Sequence, residues 1–325
     1  MGEHNIIVSI CCLTYNHEQY IEDAIESFLM QKTNFKYEII IHDDASTDNT
    51  ANIVNAYAKK YPELLRAILQ VENQYSKGVE MFTTYLFPKV KGKYIAINEG
   101  DDYWIDPNKL QKQVDYMETH PECSLCVHAA HKVKANKKPL KDGIRPNIGN
   151  KVFDVEEIIL GGGGLFATNA MLFRTEYTSN EPYFLINAPV GDYPLVIYLA
   201  LMGSIHYIDE FMSVYRTGVE GSWSSRMAGV DNIEKGNQFL KKVENMLLEI
   251  DAFSQYKFTE AIQQEIIDNE GDLLLTLYDI KTLKNDEKYE RFYQSLNKNQ
   301  ILKLYLGAYN PWLYKLLQYI KKQLI

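Results

Sequence analysis

Lys91-Gly-Lys-Tyr-Ile-Ala-Ile-Asn-Glu-Gly-Asp-Asp-Tyr-Trp104 puts a short apolar run directly before three acids. Lys93 to Asn98 is a continuous run of the kind expected of a strand covered on both faces. Glu99, Asp101 and Asp102 follow at its carboxyl end, and a helix is expected from about Pro107, with proline in the first turn. Upstream, the same unit repeats. Ile6 to Leu13 reads as a strand ending in Thr14-Tyr15-Asn16. Tyr20, Ile21, Ala24, Ile25, Phe28 and Leu29 recur at helical spacing, so 18–31 is an amphipathic helix. Tyr37 to His42 is a strand, Asp43 to Asn49 a polar loop, and Thr50 to Lys60 a helix stopped before Pro62. Arg66 to Val71 is a third strand, and 79–87 a helix.

Alternating β and α units give an α/β fold: a mostly parallel central sheet flanked by helices. Ligands of such sheets bind beyond the carboxyl ends of the strands. Here those ends carry Thr14-Tyr15-Asn16, Asp43-Asp-Ala-Ser-Thr-Asp48 and Glu99-Gly-Asp-Asp102. The chemistry is therefore expected at that rim.

The second half is less regular. Ser124 to Val133 reads as a strand and Lys134 to Asn150 as a polar, basic loop with freedom to move. Asp154 to Leu160 is a short helix, Gly161 to Gly164 a joint, and Thr168 to Arg174 a strand. Residues 191–202 read as a helix, 205–216 as two short strands, and everything from about 232 as helical.

The chain has 325 residues, 46% of them hydrophobic and 24% charged, which is ordinary for a globular protein of one or two domains. Its formal charge of −9 argues against nucleic acid as partner. No run of about 18 apolar residues is present, and the start Met-Gly-Glu-His lacks the basic segment of a secretory leader, so a cytoplasmic location is expected. Cys11 and Cys12 read as small core residues. Cys123, Cys126, His128 and His131 invite a zinc reading, but alternation along a strand sends them to opposite faces.

Adjacent carboxylates repel, so Glu99, Asp101 and Asp102 favour a cation among them, and oxygen donors suit Mg²⁺ or Mn²⁺. The plainer alternative is an acid-rich turn before a helix. A carboxylate at Asp43-Asp44 suits a base N–H or a ribose hydroxyl, while Ser46, Thr47 and Asp48 are good helix caps.

Taken in order, Val8-Ser-Ile with Thr14-Tyr-Asn16, Asp43-Asp-Ala-Ser-Thr-Asp48 and Lys91 to Trp104 resemble a family 2 glycosyltransferase of the GT-A fold over about residues 5–225. The resemblance implies a nucleotide-sugar donor, most often UDP-linked. It implies Asp44 on the base with Tyr15 stacked near it, beside Thr14 and Asn16. It implies Asp102 on the metal, with Asp101 and Glu99 near ribose and sugar. Glu99 stands where the family's D-x-D triplet begins with Asp. Gly191-Asp192 opens a helix, and an acid there is the family's general base, giving inversion; a plain helix cap is the alternative. Ser213 to Ser224 resembles the late segment that closes over the diphosphate, with Arg216 paired to phosphate or to a protein acid and Trp223 walling the acceptor site or a satellite core. The Gln-x-x-Arg-Trp motif of processive synthases is missing, which favours single-sugar transfer. The implied domains are 1–228, split at 104/105 into nucleotide-binding and acceptor halves, and a helical region, 229–325.

After Glu290 the chain has no acid and six cations: Arg291, Lys298, Lys303, Lys315, Lys321 and Lys322. Trp312, Leu313, Leu316, Leu317, Ile320 and Leu324 share one face of a basic amphipathic helix, which suits a membrane surface and hence a lipid-linked or glycan acceptor. Its own domain, or a second subunit of a homo-oligomer, suits the helix equally. The rival activities are a nucleotidyltransferase, expected to carry a Gly-rich basic loop after the first strand, and a non-catalytic nucleotide-sugar-binding subunit.

Overall fold

The computed structural model describes residues 6–220, 233–314, 316 and 317. Two compact units divide at Gly229/Val230.

The first unit is built on a nine-stranded sheet. In chain order it runs β1 (Ile6–Thr14), α1 (Ile21–Leu29), β2 (Lys36–Asp43), α2 (Thr50–Lys60), β3 (Leu65–Leu69), β4 (Tyr94–Glu99), β5 (Tyr103–Trp104), α3 (Lys109–Thr119), β6 (Cys123–Lys134), β7 (Lys151–Phe153), α4 (Val155–Gly161), β8 (Leu172–Arg174), α5 (Tyr183–Ile186), α6 (Asp192–Met202) and β9 (Ser204–Thr217). The order across the sheet is β3-β2-β1-β4-β8-β6-β9-β5, with β7 beside β9. β1 pairs in parallel with β2 and β4, and β2 with β3, as the alternating units require. β8 is antiparallel to both β4 and β6, so the second half of the sheet is mixed. Parallel pairing aligns the carboxyl ends of β1, β2 and β4, with Thr14 opposite Asp43 and Leu13 opposite Glu99.

The apolar stripe of α1 does what its spacing predicts. Ile21, Ala24, Ile25 and Phe28 are buried, and Phe28 meets Trp104 edge-on at 4.8 Å. Removing a side chain of this kind costs about 2–5 kcal/mol. Cys11 and Cys12 are fully buried in the core strand.

Four local expectations change. Residues 82–86 form a widened π turn and 87–89 a tight one, in place of an α-helix over 79–87. Thr168–Ala170 is a turn, and only Leu172–Arg174 is strand. Residues 205–216 lie in one strand of fourteen residues, Ser204–Thr217, rather than two, because the twelve-residue β6 runs parallel beside almost all of it. The 134–150 loop is tethered: Arg145 forks onto Asp209 at 2.7 and 2.6 Å, Lys137 reaches Asp23 at 2.9 Å, and Ala130 pairs with Ile144.

The second unit is helical: Ile233–Phe253, Thr259–Thr276, Ile280–Asn285, Glu290–Ser295 and Lys298–Tyr309. Its core gathers Ile280, Leu283, Phe292, Leu296 and Leu304. Asn297 forms a reciprocal cap with Gln300 at the start of the last of these helices.

Candidate active site

The strand-end loops are bound to one another by backbone and side-chain hydrogen bonds. Asn16 accepts from the Thr47 N–H at 2.7 Å, and its own N–H donates to Ser46 Oγ at 2.8 Å. Asn16 and Ala45 both sit at positive φ, 55° and 59°, an uncommon backbone for side-chain-bearing residues and a mark of functional loops. Asp43 holds Ser46, and Tyr15 projects from the first loop 43% exposed. Asp44 is buried, and both its oxygens accept backbone N–H groups, Gln74 at 2.8 Å and Tyr75 at 3.0 Å. It therefore ties the second loop to the turn after β3, a capping role on a different segment from the helix α2 expected for that loop.

The acidic loop after β4 is set by backbone contacts. Gly100 N–H donates to Leu13 C=O at 2.7 Å, and Asn98 Nδ2 reaches the carbonyls of Glu99 and Asp102. A Cβ on Gly100 would lie 2.5 Å from Thr14 Oγ1 and 2.9 Å from His17 Nδ1. Glycine here lets the backbone pass against β1. The buried Thr14 Oγ1 and His17 Nδ1 have no protein partner among the described residues.

Asp102 is 1% exposed and held from two directions. Its Oδ1 accepts the Arg216 N–H at 2.7 Å, from β9, and its Oδ2 accepts Asn169 Nδ2 at 2.9 Å. Burial, with Asp101 and Glu99 beside it, still raises Asp102 far above the usual carboxylate range. Burial first, then the charges of Asp101 and Asp192, push Glu99 up to about 8. Burial also raises Asp192, against the pull of the Tyr193 N–H at 2.8 Å and Thr168 Oγ1 at 3.3 Å. The acid at the start of α6 thus lies within electrostatic reach of Glu99 at the end of β4, although more than ninety residues separate the two.

Arg216 is 2% exposed, with its guanidinium between the rings of Tyr20 and Tyr103 at 4.9 and 4.8 Å. Its Nη atoms are taken by the Asp23 carboxylate and the Asp101 carbonyl, and Nε has no protein partner among the described residues. The protein acid anticipated for it is thus Asp23 of α1, whose carboxylate is 30% exposed while the guanidinium is buried. Trp223 lies outside the described residues.

The acids fit a hard divalent ion. The carboxylates of Glu99 and Asp101 accept no hydrogen bond within the described protein, while their mutual repulsion raises Glu99. Among the described residues no three acidic, histidine or cysteine side chains form a complete metal cage.

Sequence reasoning singled out Thr14, Tyr15, Asn16, Asp44, Glu99, Asp101, Asp102, Asp192 and Arg216, and the structure brings the last five together. It missed Thr168, Asn169, Asp23, Tyr20, Tyr103 and Asn98. All but Asn98 act through a partner distant in sequence, and no local pattern marks them.

Comparison with known proteins agrees with this fold. The model of "Glycosyl transferase family 2" matches residues 9–177. An uncharacterized protein of Mycobacterium tuberculosis is 36% identical over 218 residues, 67% of this chain and 61% of its own, so this chain spans about six-tenths of that relative's length. The Escherichia coli UDP-Glc:alpha-D-GlcNAc-diphosphoundecaprenol beta-1,3-glucosyltransferase is 37% identical over 113 residues, 35% of this chain and 42% of its own. Among solved structures, S. aureus TarS 1–349 in complex with UDP-GlcNAc superposes with a TM-score of 0.59 at 16% identity, covering 93% of this chain and 79% of that one. The chain has the GT-A fold and belongs to glycosyltransferase family 2.

Proposed function

We propose that the protein transfers one sugar from a UDP-sugar to an acceptor hydroxyl with inversion, in the synthesis of a cell-surface polysaccharide or glycolipid. The observation that carries this reading is the gathering of Glu99, Asp101, Asp102 and Asp192 at one end of the sheet, with Asp102 gripped from β9. The E. coli relative, named for a UDP-Glc donor and a diphosphoundecaprenol-linked acceptor, supports donor and acceptor class.

In this reading the base of the donor lies against Tyr15, beside Thr14 and Asn16, and donates an N–H to an Asp44 oxygen. Asp102 would hold Mn²⁺ or Mg²⁺, with Asp101 and Glu99 near the ribose and the donor sugar. Such an ion, when bound, neutralises charge on the departing diphosphate. Arg216 adds a fixed positive charge behind the acids, and Trp223 is assigned to the acceptor. Asp192 takes the proton of the acceptor hydroxyl. The hydroxyl oxygen then bonds to the anomeric carbon as the bond from that carbon to the diphosphate oxygen breaks on the opposite face. UDP leaves with the bonding pair, and the stereocentre inverts.

The basic end, 309–325, is assigned to the inner face of the membrane, where a lipid-linked acceptor resides. Trp312 is 68% exposed and Leu316 and Leu317 nearly half exposed, which supports an apolar face left open among the described residues.

The test is UDP release from UDP-sugars with Mn²⁺. Asp102→Ala is expected to abolish it, and Asp192→Asn to lower turnover with acceptor at least 100-fold while UDP still binds, the order of effect of a lost general base. UDP release unaffected by Asp102→Ala sinks the reading.

A further inference from the structure

The turn Thr168–Ala170 is too short and too plain to draw notice in the sequence, yet its first two residues hold the two acids the reaction needs most. Asn169 is fully buried and makes four bonds. Its Nδ2 donates to Asp102 Oδ2 at 2.9 Å and to the Val214 carbonyl at 3.0 Å. Its Oδ1 accepts Ser213 Oγ at 2.6 Å, and its backbone carbonyl accepts Trp104 Nε1 at 2.9 Å. The amide cannot flip without breaking three bonds. As a neutral donor it orients a carboxylate without adding charge to an already crowded acidic site. The neighbouring Thr168 directs its hydroxyl to Asp192 Oδ2 at 3.3 Å.

We propose that Thr168 and Asn169 are positioning residues that fix the spacing between the cation-holding acid and the proton-accepting acid. Consecutive Cα atoms are about 3.8 Å apart, so one dipeptide holds at fixed separation two acids that lie ninety residues apart in the chain. Asn169 sets the direction in which Asp102 presents its free lone pairs, and Ser213 sets the direction of Asn169. Thr168 leaves one Asp192 oxygen turned to the hydroxyl and the other to the Tyr193 N–H. The inference rests on the assignment of Asp102 and Asp192 made above and extends it to residues that touch neither donor nor acceptor.

The probe for the first half is Mn²⁺ alone, titrated against the full chain with UDP present and followed by the EPR signal of the free ion. Partners that orient metal ligands are typically worth 10–100-fold in metal affinity. Asn169→Ala is expected to weaken Mn²⁺ binding at least tenfold, and Ser213→Ala by a smaller factor in the same direction. Ser213→Ala also serves if Asn169→Ala does not fold. The probe for the second half is UDP release from whichever UDP-sugar the wild type turns over. Thr168→Val is expected to lower kcat several-fold at unchanged Mn²⁺ affinity, and Thr168→Ser to restore it. Mn²⁺ binding lost in Asp102→Asn but of wild-type strength in both Asn169→Ala and Ser213→Ala overturns the positioning role. Equal kcat in wild type and Thr168→Val overturns its second half. Mn²⁺ binding of wild-type strength in Asp102→Asn instead overturns the assignment beneath, and the inference with it.

Discussion

Gly100 shows how much of the site depends on a missing side chain. Its backbone passes so close to β1 that a methyl group would press on Thr14 and His17. Over-packing of this kind costs about 1–3 kcal/mol. Gly100→Ala is therefore expected to lose that much stability in a denaturant titration and to weaken UDP binding by calorimetry. An unchanged midpoint with unchanged affinity would mean the backbone has room to spare. At this scale the acids were legible: Glu99, Asp101 and Asp102 stand together after an apolar run, and Asp192 opens a helix. Asn169 was not, because its role lies in three partners from β9 and the acidic loop, and a lone asparagine before Leu172 carries no spacing signal.

The elements tell a parallel story. α1, α2 and the parallel strands were legible from period alone, since each buries one stripe or one run. β9 was not, because its length is set by β6 alongside it, and the antiparallel insertion of β8 depends on contacts thirty and more residues away. α3 holds a local contradiction, Lys109, fully buried with Nζ on Gln113 Oε1 at 2.9 Å and 4.0 Å over the Trp104 ring. Burial lowers its ammonium to about 7, despite the opposing pull of Cys126. Between pH 7 and 8 the folded chain has begun to release this proton while the unfolded chain, near 10.4, keeps it. The unfolded state binds more protons, so stability rises with pH, by at most about 1.4 kcal/mol per unit. Lys109→Met is expected to flatten that rise in chemical denaturation at pH 7 and 8. The slope, not the level, is the readout, because the substitution also strips Gln113 of a partner. A slope identical to wild type would show that Lys109 keeps its proton inside the fold.

For the whole molecule, charge is unevenly dealt. The chain carries −9 in total, yet its last 35 residues carry six cations and no acid. Each basic residue near an anionic leaflet contributes about 1 kcal/mol of attraction, screened by salt. Exposed Trp312, Leu316 and Leu317 add apolar contact. Deleting 309–325 is expected to abolish co-sedimentation with vesicles containing anionic lipid at low salt. Equal sedimentation with and without the segment would remove the membrane assignment. The division of the chain near residue 229 follows the change from alternating units to unbroken helical periodicity, while the placement of Arg216 deep in the first unit was beyond reach of any pattern.

That placement has a consequence for synthesis. Asp23, Asp101 and Asp102 leave the ribosome long before Arg216, whose guanidinium takes the Asp23 carboxylate and the Asp101 carbonyl and whose backbone N–H takes Asp102, and the clamp closes only when β9 arrives. Until then the repelling carboxylates stay open to water. The acidic rim is thus the last part of the sheet to be completed.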